Sequence, residues 1–238
     1  DAGVDLLVLD IAHGHQEQAV HAIGRVREWV GAVDLVAGNV ATPEGARDLA
    51  LAGADAVKVG VGPGSACTTR VVAGVGVPQL SAVLACAEAL APHDVPVIAD
   101  GGIRAGGDVA KAIAAGAETV MVGNLFARTA ESPGLVVTRN GKRVKVFRGM
   151  ASEAAAMARR AAEGTEDTEF VPVVAEGVEA VVPLGGAAAD LVHELVGGLR
   201  SAMSYSNAST VREFQDNARF VRITVAGLRE SHPHDVDL

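Results

Sequence analysis

The chain has 238 residues, 49% of them hydrophobic but only 3% aromatic, and a net charge of −9. That length suffices for one sizeable core built from Val, Leu, Ile and Ala, and an acidic balance without basic clusters argues against a nucleic-acid-binding surface. Two distant cysteines make no disulfide framework and fit a reducing, cytoplasmic setting, and no apolar run is long enough to span a membrane.

No signal peptide is visible at Asp1, which reads as part of a helix-to-strand turn, so a partial start is expected. Short apolar runs then alternate with helical patterns. Strands are predicted at Leu6–Ala12, Asp34–Gly38, Ala56–Val61, Val95–Ala99 and Thr119–Gly123. Helices are predicted near Gln16–Val30, Pro43–Ala52, Gln79–Leu90 and Gly107–Ala115. Ala-Gly-Ala or Ala-Gly-Val precedes the strands at Asp5, Asp55 and Glu118, as helix C-terminal glycines do. Repeated β-α units with apolar strands mean a parallel sheet, and periodicity alone leaves it open or closed. Polar and glycine signals stand at five strand ends: Asp10, Gly38-Asn39, Gly60–Cys67, Asp100-Gly101-Gly102 and Gly123-Asn124. That distribution fits a (β/α)8 TIM barrel, because a doubly wound sheet gathers function at one switch point. A sixth strand is expected at Phe220–Val225, and since a closed barrel needs eight, the early strands fall outside this chain. Residues 1–238 then form a single catalytic barrel domain, the C-terminal majority of a barrel.

After Gly123 the rhythm changes. Leu135–Thr138 and Lys142–Phe147 flank Arg139-Asn140-Gly141, a hairpin signal. Residues 151–184 form an excursion opening with a helix at Ser152–Ala162 and passing through acidic Glu163–Glu169. It reads as a lid or as a solvated insertion. Further helices are expected at Ala187–Leu199 and Thr210–Ala218.

The most informative segment is Gly60-Val61-Gly62-Pro63-Gly64-Ser65-Ala66-Cys67-Thr68-Thr69-Arg70. Alternate glycines let a backbone turn sharply and approach a ligand. A cysteine beside them without a CxxC partner is a candidate nucleophile, or else a small buried hydrophobe. Asp100 at a strand end can accept both ribose hydroxyls, and two glycine turns at consecutive strand ends, with Ser65 beside them, can bind a nucleotide phosphate. Asp10 reads as a helix N-terminal carboxylate, and His13 and His15 as solvated. A zinc site is not expected, because this pair lacks a third ligand. Cys86 and Trp29 read as helix packing.

The Cys67 loop resembles, nearly letter for letter, the catalytic loop of the IMP dehydrogenase/GMP reductase family. Asp100-Gly101-Gly102-Ile103, Gly107–Ala112, Glu131-Ser132-Pro133-Gly134, Arg148-Gly149-Met150, Glu176-Gly177-Val178-Glu179 and Gly197-Gly198-Leu199-Arg200 extend the resemblance along nearly the whole chain. It implies a TIM barrel, a homotetramer and an oxidoreductase acting at C2 of a purine nucleotide. Cys67 would be the nucleophile and Thr69 a polar catalytic contact. Ser65, Gly102, Gly123 and Asn124 would hold phosphate, and Asp100 the ribose. Met150, Ala151 and Glu176 would contact the purine, and Asp10 and Asn39 would lie near a nicotinamide of NADPH or NAD. Gly62, Gly64 and Cys67, with Glu230, Ser231 and His232 of a neighbouring subunit, would form a potassium site. Phe147 departs from the pattern, where many members have Tyr.

The two branches share a covalent thioimidate. Dehydrogenases hydrolyse it to XMP after oxidising IMP with NAD, and those resembling this chain use an adjacent Arg-Tyr pair as base. Reductases release ammonia from GMP and reduce the thioimidate to IMP with NADPH. The only tyrosine here, Tyr205, follows Ser204, and Arg159-Arg160 is followed by Ala161. Asp10-Ile11-Ala12 also resembles reductases, whereas the tail Gly227–Asp235 resembles bacterial dehydrogenases. GMP reductase is the preferred expectation, with IMP dehydrogenase the alternative. An inactive nucleotide-binding homologue is the alternative of another class.

Overall fold

The computed structural model describes residues 3–163 and 174–233. Five parallel strands, β1 (Leu6–Asp10), β2 (Asp34–Val40), β3 (Ala56–Val59), β4 (Val97–Asp100) and β5 (Thr119–Met121), lie side by side in chain order. Each pairs with its predecessor and the order never reverses. There is no switch point, so the sheet is an arc of a (β/α)8 barrel. Helices α1 (Glu17–Val30), α2 (Pro43–Leu51), α3 (Thr69–Val72), α4 (Gln79–Leu90), α5 (Gly106–Ala114) and α6 (Asn124–Ala127) fill the connections. Gly53 and Gly116 follow α2 and α5 with φ of +108° and +101°, the left-handed turn expected of those glycines.

Strand alternation separates two faces. Leu7, Leu9, Leu35, Ala37, Val57, Val59, Val97, Ala99 and Val120 point to the helices and form the main core with Ile23, Leu49, Val83 and Leu90. The register aligns Asp10, Gly38, Lys58, Ile98 and Thr119 in one row on the opposite, inner face. Helical packing against one face thus leaves the other free to carry polar chemistry.

Cys86 is fully buried in that core. Burial, then the Glu44 carboxylate, push its thiol pKa from 9.0 up to about 12. Between those values the unfolded chain releases a proton that the folded chain keeps. Stability from this group is therefore complete below pH 9 and lost as pH rises toward 12. Unfolding titrations should show a component of about 1.4 kcal/mol per pH unit in that window, absent from Cys86→Ala.

The chain then builds a second, antiparallel sheet from β6 (Val136–Arg139), β7 (Lys142–Arg148) and β8 (Glu179–Pro183). Asn140 and Gly141 have φ of +52° and +72°, so the expected hairpin forms, through a left-handed two-residue turn. Buried Lys145 anchors this sheet, donating to the carbonyls of Thr129 (2.5 Å), Ala130 (3.2 Å) and Ser132. Helix α7 (Glu153–Glu163) opens the excursion as expected, and residues 164–169 of its acidic stretch lie outside the described residues. Helices α8 (Ala188–Tyr205), α9 (Val211–Asn217) and α10 (Val225–Glu230) follow. Glu131 accepts the Ala188 amide at the start of α8, and its own backbone amide and that of Ala188 hold its pKa below the usual carboxylate range.

Two expectations fail here. Residues 220–224 form no strand, and α10 begins at Val225. β-branched residues satisfy the strand pattern, but among the described residues no neighbouring strand supplies hydrogen bonds. Trp29 is 73% exposed and does not pack between helices; the Arg25 guanidinium lies 5.2 Å from its ring centroid.

Candidate active site

The C-terminal ends of β1 to β4 converge on one buried ammonium. Lys58, on β3, is 1% exposed, and its Nζ lies 3.0 Å from Asp10 Oδ1 and 2.5 Å from Asp100 Oδ2. Asn39 Nδ2 donates to the same Asp100 oxygen at 2.9 Å and to the Gly60 carbonyl at 2.7 Å. Asn39 is buried, and its Oδ1 has no hydrogen-bond partner. Asp10, Asn39 and Asp100, singled out separately in sequence, are thus one cluster. Lys58 escaped the sequence reading because it lies inside the apolar run Ala56–Val61 and its partners are remote in sequence.

Gly60, with φ +153°, begins the cysteine loop, and a Cβ there would lie 2.1 Å from the Asp100 carbonyl. A side chain at Gly101 would meet Pro63 Cγ at 2.9 Å. The β3 and β4 loops therefore lie in direct backbone contact, as their glycines permit. Gln79 at the start of α4 ties both, donating to the carbonyls of Val59 (2.8 Å) and Asp100 (3.1 Å).

Cys67 is exposed at the turn preceding α3. Its Sγ donates to Thr69 Oγ1 at 3.2 Å, and Thr69 Oγ1 donates to Glu176 Oε2 at 2.7 Å. Glu176 comes from the returning end of the excursion, and backbone bonds lock it there. Thr68 N donates to the Glu176 carbonyl at 2.8 Å, Val178 N to the Ala66 carbonyl at 3.0 Å, and Cys67 pairs with Gly177 in a short bridge. A thiol, a hydroxyl and a carboxylate stand in series, so a proton leaving sulfur has a continuous route to a base.

A cleft of about 560 Å³ opens beside this chain. Leu9, Ile11, Ala12, Ala19, Val61 and Val75 supply apolar walls, and Thr69 and Glu176 also line it. His13 lines the same cleft, and His15 is one-third exposed, with its Nε2 2.8 Å from Asp48 Oδ2 and its ring against Gly45. A Cβ at Gly123 would meet nothing within 4 Å, so that turn faces open space, and one at Gly102 would make only ordinary contact with Pro63 Cβ at 3.7 Å. Ser65 is exposed on the cysteine loop, Asn124 opens α6, and Met150 and Ala151 are exposed at the start of the excursion. Glu230, Ser231 and His232 lie at the end of α10, where Ser231 Oγ donates to the Gly227 carbonyl at 2.7 Å. Among the described residues no group of three or more His, Cys, Asp or Glu side chains could hold a metal, and no helix is long and apolar enough to cross a membrane.

A family model described as the IMP dehydrogenase / GMP reductase domain matches residues 1–234. The chain belongs to that family. An inosine-5'-monophosphate dehydrogenase from Aquifex aeolicus is 52% identical over 100% of the chain and 49% of its own length. A GMP reductase from Leishmania donovani is also 52% identical, over 99% of the chain and 49% of its own length. A crystal structure of GMP reductase C318A from Trypanosoma brucei in complex with guanosine 5'-monophosphate superposes with a TM-score of 0.94 at 50% identity, covering 99% of this chain and 48% of that one. The chain spans about half the length of the relatives it matches. IMP dehydrogenase / GMP reductase enzymes are purine-nucleotide oxidoreductases, and equal identity to both names leaves the branch to local chemistry.

Proposed function

We propose that this chain carries the nucleotide and thiol half of a GMP reductase site. The thiol–hydroxyl–carboxylate series from Cys67 through Thr69 to Glu176 carries the reading. Cys67 adds to C2 of GMP as its proton passes through Thr69 to Glu176. The same proton returns to the departing 2-amino group, so ammonia leaves and a thioimidate remains. Hydride delivery to C2 and release of the thiolate then give IMP. Asp100 takes the ribose hydroxyls, Ser65, Gly102, Gly123 and Asn124 take the phosphate, and Met150 and Ala151 border the purine.

The cleft suits a nicotinamide, whose ring its apolar walls fit, and the family pattern assigns Asn39 and Asp10 to the neighbourhood of that ring. NADPH bound there would supply the hydride. Gly62, Gly64 and Cys67 would offer backbone carbonyls to potassium, completed by Glu230, Ser231 and His232 of a second copy in a homotetramer. A reducing cytoplasm would keep Cys67 a free thiol.

The reductase is preferred because water activation lacks its Arg-Tyr pair. Tyr205 is 92% exposed at the end of α8, in the outer layer. IMP dehydrogenase is the second reading, favoured by the dehydrogenase names among the relatives and by the tail after Gly227. An inactive homologue would have no use for the intact proton route. The complete protein should oxidise NADPH continuously with GMP and release ammonia. IMP with NAD should give only a burst of NADH near one per site. Sustained XMP formation without GMP-dependent NADPH oxidation would assign the dehydrogenase.

A further inference from the structure

We propose that Lys58 is a positioning residue that presents Asp100 to the nucleotide ribose and neutralises Asp10 across the same ammonium. The proposal rests on the nucleotide reading above and concerns how that site is held.

Lys58 is a lysine almost without solvent, an arrangement that needs compensation by paired charge. Its two partners come from different strands: Asp10 from β1 and Asp100 from β4, with β2 and β3 between them. The fold makes room for it. Gly38 is its register partner on β2, and a Cβ at Gly38 would lie 2.7 Å from Lys58 Cβ and 2.6 Å from the Lys58 carbonyl. Any other residue at 38 would drive the lysine stem out of the row.

The ammonium and the Asn39 amide both bind Asp100 Oδ2. One oxygen is therefore committed to the scaffold, and the carboxylate plane is fixed from two directions. Oδ1 has no protein donor among the described residues and is left to accept ribose hydroxyls. Asp10 Oδ1 is held by the same Nζ at 3.0 Å, with its side chain about half exposed. Two carboxylates and one ammonium leave the cluster with one net negative charge. Without Lys58 the two anions would face each other with no counter-charge, and Asp100 would turn toward solvent.

The test compares GMP with its 2',3'-dideoxy analogue in the complete protein, by direct binding. Wild type should prefer GMP by about tenfold or more, the discrimination expected when a charged acceptor loses its donors. Lys58→Met should lose most of that preference while binding the dideoxy nucleotide nearly as wild type does. Lys58→Arg should restore it, and Lys58→Met/Asp100→Asn should be no worse than Asp100→Asn. Should Lys58→Met fail to fold, Lys58→Gln carries the same comparison. Equal losses for both nucleotides, or additive losses in the double variant, would overturn the positioning role while leaving the ribose site standing. A wild type that binds both nucleotides alike would overturn the ribose assignment and this inference with it.

Discussion

Replacing Cys67 by Ala should lower turnover by several orders of magnitude while nucleotide affinity stays within about tenfold. The reasoning starts from geometry. Cys67 is exposed at the turn before α3, and among the described residues its thiol bonds only to Thr69. Its Sγ carries no scaffold load, and the loop is held by backbone bonds from Thr68 and Val178 that alanine leaves in place. Nucleotide contacts are assigned to Asp100 and the glycine turns, which do not touch the sulfur. What alanine removes is the covalent step, without which C2 stays planar and resists both hydride and loss of the amine. Steady-state rates with GMP and NADPH, set beside calorimetric GMP affinity, give the comparison. Near-normal turnover would show that no thioimidate forms. Cys86 provides the internal control: it is buried with a thiol pKa near 12, so a thiol reagent should label one cysteine, and GMP should protect it.

Glu176→Gln should cost about 10²–10⁴ in kcat with little change in GMP affinity. Glutamine keeps an oxygen able to accept the Thr69 hydroxyl, so the 2.7 Å contact can persist. It cannot take up a proton. The series from sulfur to carboxylate then ends on a group without basicity, and both thiol addition and protonation of the departing amine slow. The expected signature is a fall in kcat at nearly constant Kd for GMP, whereas a purely structural Glu176 would shift affinity and thermal stability together. Measuring kcat and Kd on one preparation decides it. An unchanged kcat would mean that the proton leaves by another route.

Much of this site is legible in the amino-acid sequence. Alternating glycines around Cys67 advertise a tight loop, and strand-end carboxylates at Asp10 and Asp100 announce where a barrel keeps its chemistry. The glycines after α2 and α5 and the Asn140-Gly141 turn are local signals, written in backbone freedom, and they held. Lys58 was hidden because a lysine inside a strand reads as a solvent-facing position, and only the fold brings Asp10 and Asp100 onto it. Glu176 was singled out for the purine; its bond to Thr69 spans more than a hundred residues and leaves no periodic trace. Phe220–Val225 and Trp29 failed for the complementary reason. Composition favoured a strand and a buried ring, but each needs a neighbour that the described fold does not place there.

The excursion beginning at Gly149 has a property that follows from where it starts and finishes. Arg148 and Glu179 are register partners on β7 and β8, and Gly149 N donates to the Val178 carbonyl at 3.1 Å. Departure and return are therefore fastened to each other whatever lies between. A segment mounted this way behaves as an interchangeable cartridge. Lengthening it is cheap, about 0.6 kcal/mol for each doubling of a flexible loop, and leaves the spacing of its two ends unaltered. Glu176, three positions inside the fastening, would stay seated on Thr69 through such exchanges. A single barrel could in this way acquire a different water-handling segment, and with it a different fate for the same thioimidate, without re-forming the thiol's proton route.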